Sequence, residues 1–211
     1  MLSGPKLIPE GKAESLVILS HGYGSNGDDL FGLAQQWKEK LPKTIFVAPN
    51  APEPSPHPGG FQWFPISSFS KEERIEGTLK AAPNLDEFID HCLEEYKIPS
   101  KKLALVGFSQ GTMMSLHVDL RRKQPIAGIL GYSGALAAPG KLVSEMTHKP
   151  PVFLLHGTQD NIIPFPAMFE AVGALEAAGI SVEKHLSQNI AHGIGPDGLQ
   201  KGGDFLSQVL G

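Results

Sequence analysis

The sequence predicts an α/β fold: a mainly parallel twisted sheet with helices on both faces. Three observations lead there. Residues 16–19 (LVIL), 103–106 (LALV) and 152–155 (VFLL) are apolar at every position, as strands covered on both faces are, whereas a half-solvated strand would alternate. Segments with helical spacing separate them, and strand alternating with helix means parallel pairing. Two of the runs open directly into glycine-rich loops, the usual strand-to-helix punctuation. At 211 residues a single domain spanning 1–211 is expected, burying about 70% of its unfolded surface.

Each element follows in order. After strand 16–19, Asp28 is positioned as an N-cap, and Leu30, Phe31, Leu33, Ala34 and Trp37 form one helix that Pro42 ends. A strand at 44–47 follows. Residues 49–70 hold six prolines, the pair Gly59-Gly60 and the aromatic run Phe61-Gln62-Trp63-Phe64. That is a long surface loop with apolar content, and loops beyond about 12–15 residues in a compact chain tend to be functional or disordered. Residues 71–97 read as helix interrupted near Pro83, then strand 103–106, helix 112–123, strand 126–130, strand 152–155, helix 165–178, strand 182–186 and a last helix from about Pro196.

Composition excludes several classes of function. With 41% hydrophobic residues, 24 Gly and 18 Pro in 211, the chain is neither disordered nor fibrous. Its 18 Lys and Arg against 22 Asp and Glu give a net charge of −4, which disfavours nucleic acid and anionic lipid as partners. Arg121, Arg122 and Lys123 are the one basic cluster, placed to close a helix at its negative end. The single cysteine, Cys92, falls on the apolar face of Leu85, Phe88, Ile89 and Leu93, as a buried residue in a reducing, cytoplasmic location would. No stretch is long and apolar enough for a signal peptide or a membrane span. No histidine pair has metal-ligand spacing, and no dinucleotide-binding glycine pattern follows a strand, so no cofactor and no metal are expected.

In open parallel sheets chemistry gathers beyond the carboxyl ends of the strands. After strand 103–106 stands Gly107-Phe108-Ser109-Gln110-Gly111, a G-x-S-x-G run between strand and helix, the pattern of a nucleophile elbow. The bland alternative is a plain turn with Ser109 as a cap. A serine nucleophile needs a base to take its proton and an acid to orient the base, in the order Ser, acid, His for this architecture. Asp160, just past strand 152–155, is the candidate acid, because Asp119 lies inside a helix and should face solvent. His192, in the loop after strand 182–186, is the candidate base. His156 precedes the acid, His185 sits within a strand, His117 along a helix and His148 in a proline-flanked loop. Two backbone N–H groups should hold the oxyanion: that of Gln110 from the elbow, and that of Tyr23 from the loop His21-Gly22-Tyr23-Gly24. That loop lacks the Gly-Lys-Ser/Thr of a phosphate cradle. Trp63, Phe64 and Ile66 are the candidate substrate-binding residues, an apolar wall for an acyl chain.

The runs Ser20-His21-Gly22-Tyr23-Gly24, Ala48-Pro49, Trp63-Phe64, Gly107-Phe108-Ser109-Gln110-Gly111, His156-Gly157 with Asp160, and Ala191-His192 together resemble the phospholipase/carboxylesterase family of α/β hydrolases, the branch that includes acyl-protein thioesterases. The resemblance covers most of the chain. It implies an α/β-hydrolase fold without a large cap domain, a Ser109–Asp160–His192 triad, and oxyanion donors from Tyr23 and Gln110. It implies hydrolysis of carboxylic esters or thioesters through an acyl-serine, with a small-molecule ester, a thioester or an acylated protein as substrate. A lysophospholipase on the same machinery and a catalytically silent ligand-binding module are the alternatives. Apolar loop surface would also allow two copies to pair as a homodimer. Two positions depart from the thioesterase pattern: Tyr23 stands in place of the usual Leu, and Pro65 in place of an Asp.

Overall fold

A computed structural model describes residues 2–68 and 70–211; Met1, and Phe69 within the expected long loop, lie outside the described residues. The elements are β1 (Lys6–Leu7), β2 (Ser15–Ser20), α1 (Gly27–Trp37), β3 (Thr44–Val47), β4 (Glu53–Pro54), β5 (Phe61–Gln62), α2 (Lys71–Tyr96), β6 (Leu103–Phe108), α3 (Gln110–Asp119), β7 (Gly128–Tyr132), α4 (Leu142–Glu145), β8 (Val152–Gly157), α5 (Pro166–Ala177), β9 (Val182–Ser187) and α6 (Pro196–Leu210). Seven strands form one sheet in the order β1-β3-β2-β6-β7-β8-β9. Every pairing in it is parallel except β1 with β3.

Strand alternation divides the core in two. Leu16, Ile18, Leu103, Leu105 and Ile129 point to the side where α2, α3 and α5 bring Leu85, Ile89, Met114, Val172 and Leu175. Val17, Leu19, Ala104, Val106 and Leu130 point to the opposite side, against Leu30 and Trp37 of α1 and Phe205 and Leu206 of α6. Both sets are buried, which is why these strands read as unbroken apolar runs. Cys92 is 2% exposed on α2, and burial pushes its thiol up to about 12. No described helix is long and apolar enough to cross a membrane.

Several expectations are corrected. The N-cap of α1 is Asn26, whose Oδ1 accepts from Asp29 N at 3.0 Å; Asp28 lies inside the helix. Both are good caps, and the choice fell to the residue whose backbone is extended. Helix α2 runs through Pro83 without interruption. Proline there removes the N–H that would bond the Leu79 carbonyl, at a surface turn where Leu79 is 39% exposed. β1 and the β4–β5 hairpin are two-residue pieces too short to show a period.

The largest correction concerns the end of α3. The helix stops at Asp119, and all ten of its residues are buried. Asp119, expected in solvent, is fully buried and receives His148 Nε2 at 3.1 Å. The other ring nitrogen of His148 faces the Arg122 carbonyl at 3.1 Å. With acceptors on both sides the ring donates twice, which favours imidazolium, and the Asp119 bond raises its pKa above 6.5. Of the basic trio, Arg121 does cap the helix, with Nη1 donating to His117 O at 3.1 Å. Arg122 instead crosses to Asp86 and Asp90 on α2.

A histidine whose folded pKa is raised contributes stability that is fully present below its unfolded value and is lost as pH rises through the folded one. His148→Leu should therefore lower the melting temperature by more at pH 6 than at pH 9, roughly 5 °C or more at the lower pH. Thermal unfolding of both proteins at the two pH values measures it, and equal losses would show that the pair is not charged.

Candidate active site

The site forms where β6 turns into α3. Ser109 has φ 54° and ψ −114°, a strained conformation for a residue with a Cβ. It is held there by its N–H to Tyr132 O at 2.9 Å on the neighbouring strand. The turn closes because its glycines have no side chains. A Cβ on Gly111 would lie 1.8 Å from Ser20 O, and one on Gly107 would lie 2.5 Å from Gly111 backbone. The spacing G-x-S-x-G is thus a packing requirement between β2, β6 and α3.

The structure brings Ser109, Asp160 and His192 together across 83 and 32 residues of chain. His192 Nδ1 lies 2.8 Å from Asp160 Oδ2, and its Nε2 lies 3.0 Å from Ser109 Oγ. An ionised carboxylate only accepts, so Nδ1 carries the hydrogen and Nε2 offers its lone pair to the serine O–H. The Asp160 side chain is fully buried and His192 is 19% exposed at its side chain. Asp160 Oδ1 accepts from Ile162 N at 3.0 Å and Ile163 N at 2.9 Å, which fixes the carboxylate plane. The His192 loop reaches the end of β8 because Gly157 leaves room: a Cβ there would lie 2.3 Å from Ile190 O and 2.4 Å from Ala191 O. The ring of His192 rests on Phe108 with centroids 5.0 Å apart.

The two expected backbone donors stand on segments that flank Ser109. Gln110 opens α3, where N–H groups of the first turn lack partners within the helix. The loop carrying Tyr23 adjoins the serine, since a Cβ on Gly22 would lie 3.2 Å from Ser109 Cβ. His21, fully buried, donates from Nδ1 to Gly22 O at 2.7 Å and accepts Ala51 N at Nε2, 2.9 Å. Burial lowers the pKa of His21, in keeping with a ring that accepts at Nε2. In a trans peptide the carbonyl and the following N–H point in opposite directions. Holding Gly22 O therefore sets the direction of Tyr23 N–H. The Tyr23 ring meets His57 edge-on at 5.8 Å.

Of the expected apolar wall, Trp63 and Phe64 are each 1% exposed, while Ile66 is half-buried. Trp63 Nε1 donates to His21 O at 3.0 Å. The Phe64 ring fills the place of a side chain at Gly77 of α2, 2.3 Å from where its Cβ would be. Sequence reasoning missed the group that holds this pair. The Gln110 side chain accepts Trp63 N at 2.8 Å and donates to Phe64 O at 2.8 Å. Nothing in the sequence marks that clamp, because both partners are backbone. Of the rival histidines, His185 bonds Asp197 at 2.6 Å and His148 bonds Asp119, His117 is buried in α3 away from the serine, and His156 stands at the site itself, beside Asp160.

Sheet order, elbow and the residues beyond the strand ends define the class, an α/β hydrolase. The family is narrower. The Phospholipase/Carboxylesterase family model matches residues 7–210, and the chain belongs to that family. Esterase YpfH of Escherichia coli (strain K12) is 25% identical over 202 residues, 96% of this chain and 86% of the relative. Acyl-protein thioesterase 1 of Schizosaccharomyces pombe is 37% identical over 158 residues, 70% of this chain and 69% of the relative. The crystal structure of esterase PE8 superimposes with a TM-score of 0.96 at 41% identity, covering 99% of both chains. These relatives support a hydrolase of the ester or thioester type.

Replacing Gln110 by Met keeps the backbone N–H and removes the clamp. Trp63 N–H and Phe64 C=O are then buried without partners, so the variant should lose about 2–4 kcal/mol of stability. Urea unfolding measures this, and a loss below about 0.5 kcal/mol would show that the loop is held by its aromatic packing alone.

Proposed function

We propose that the protein is a serine hydrolase that cleaves carboxylic esters or thioesters through an acyl-Ser109 intermediate. The observation that carries this reading is the unbroken chain of contacts from Asp160 Oδ2 through both nitrogens of His192 to Ser109 Oγ. In the proposed sequence, Ser109 Oγ attacks the carbonyl carbon as His192 Nε2 takes its proton. The carbonyl oxygen becomes an oxyanion, held by Tyr23 N–H and Gln110 N–H. Helix α3 adds the positive end of its dipole at the same point. His192 then returns the proton to the departing alcohol or thiol, leaving Ser109 acylated. Water, deprotonated by His192, attacks the acyl carbon and releases the acid with Ser109 restored. Asp160 fixes the imidazole tautomer and stabilises the imidazolium formed in each half.

The acyl side of the site is assigned to Trp63, Phe64 and Ile66. Trp63 and Phe64 lie beneath the loop surface and Ile66 retains exposure, so Ile66 would meet the chain while the aromatics shape its support. The substrate is a small ester or thioester or an acylated protein, the activities in the names of the relatives. Metal and cofactor have no step in this sequence.

The decisive experiment is hydrolysis of nitrophenyl esters from acetyl to long-chain acyl, with Ser109→Ala as the blank and a fluorophosphonate as a label. Turnover and labelling should both vanish in Ser109→Ala. An unlabelled wild type with no turnover would make the chain a ligand-binding module instead. Asp160→Asn should lower kcat by about 10⁴ while the protein stays folded, and a rate near that of the wild type would move the acid elsewhere. Ile66→Ala should raise KM for long acyl chains more than for acetyl; equal effects would remove Ile66 from the pocket.

A further inference from the structure

His156 is the other ionisable group at Asp160. It is the penultimate residue of β8, and its side chain is 1% exposed. Its Nε2 lies 2.7 Å from Ile163 O and 3.1 Å from Asp160 Oδ2. The Ile163 carbonyl can only accept, so Nε2 carries the hydrogen and donates it there, with the same edge of the ring 3.1 Å from Asp160 Oδ2. Its Nδ1 is buried with no hydrogen-bond partner. A ring protonated at Nδ1 alone would waste its donor and turn a lone pair on two oxygens, so the geometry selects one tautomer.

Asp160 Oδ2 thus faces two histidines: it accepts from His192 Nδ1 at 2.8 Å, and His156 Nε2 stands 3.1 Å away. We propose that His156 is a positioning residue for the proton relay: its Nε2–H holds the Ile163 carbonyl, and with it the 160–163 turn that carries the carboxylate, to the end of β8, and its N–H edge lies beside the oxygen that His192 faces. This rests on the triad reading above. Its consequence is electrostatic as well as steric. An N–H dipole beside Oδ2 partly offsets the negative charge of the oxygen that would stabilise imidazolium. Without it, the His192 imidazolium is favoured more strongly and the base is protonated at higher pH.

The surroundings leave few other charges to confuse that effect. On the side of His156, α3 presents Thr112 and Leu116, and α5 presents Met168 and Ala171. In the first turn of α6, Asp197 is bound to His185 of β9 at 2.6 Å.

The test compares kcat/KM over pH 4.5–9 on a nitrophenyl ester for the wild type, Ser109→Ala, His156→Leu and His156→Gln, all as full chains. Leucine fills the space of the ring without a donor, and glutamine places an amide N–H at similar reach. The His156→Leu profile should move its acid limb upward by roughly half a unit or more, with kcat lower by about tenfold. His156→Gln should bring the limb most of the way back. A folded His156→Leu with the wild-type acid limb overturns the proposal, whatever its rate. If His156→Leu does not fold, ring nitrogen NMR of the intact wild type decides: hydrogen on Nε2 of His156 supports the proposal and hydrogen on Nδ1 overturns it. Turnover surviving in Ser109→Ala would instead overturn the triad reading itself, so the two failures are distinguishable.

Discussion

The rest of the structure depends on the contact between Gly111 and Ser20. A helix can start this close to a neighbouring strand only where the residue facing the strand has no Cβ, since one would lie 1.8 Å from Ser20 O. That approach forces the chain through a left-handed residue at Ser109, φ 54°. Strain of this kind costs about 1–3 kcal/mol and persists only where its surroundings over-determine it. Here they include the Ser109 N–H bond to Tyr132 O and the Thr112 Oγ1 bond to the same carbonyl, both 2.9 Å.

Around the elbow, much of the positioning is done by side chains bonded to backbone. His21 holds Gly22 O, Gln110 holds Trp63 N and Phe64 O, and Asp160 holds the amides of Ile162 and Ile163. Gln110 ties the aromatic loop to α3, while His21 and Asp160 brace the loops to which they themselves belong. The loops themselves interlock, with Gly24 N bonded to Phe61 O and Phe61 N to Ser25 O. Movement of the aromatic segment would therefore disturb the proposed oxyanion loop, and the two are best regarded as one wall of the site.

How much of this was legible in the sequence follows from where the information lies. Strands buried on both faces announce themselves as apolar runs, and the order Gly107 to Gly111, Asp160, His192 reflects close packing and chain order, both one-dimensional signals. β1, a two-residue antiparallel edge, has no period to read. Pro83 signals a helix break, yet α2 keeps its course because tertiary packing by Leu85, Phe88 and Ile89 outweighs one missing hydrogen bond. Asp119 looked solvated because a charged residue in a helix usually is. Its partner His148 lies 29 residues on, and no local pattern joins them. The aromatic loop was legible as apolar and close to the site. Its burial was not, because the space for Phe64 is made by a missing side chain at Gly77, on another element.

The corrected end of α3 bears on the proposed chemistry at its beginning. A wholly buried helix of ten residues has its carbonyl end in the interior, where unpaired acceptors are costly. Arg121 donates to His117 O, and His148 joins Asp119 to the Arg122 carbonyl. Arg122 pins the same end to α2 through Asp86 and Asp90. Cations at the carbonyl end complement the dipole there. They also fix the helix along its axis. Because the chain from Ser109 to Asp119 is stiff, the anchor at Asp119 sets where Gln110 N–H stands relative to Ser109 Oγ, about 15 Å away at 1.5 Å per residue. The polar cluster far from the proposed site is thus part of what keeps the proposed oxyanion donor in register with the proposed nucleophile, and its charges are tolerated so deep in an otherwise apolar layer because each is paired.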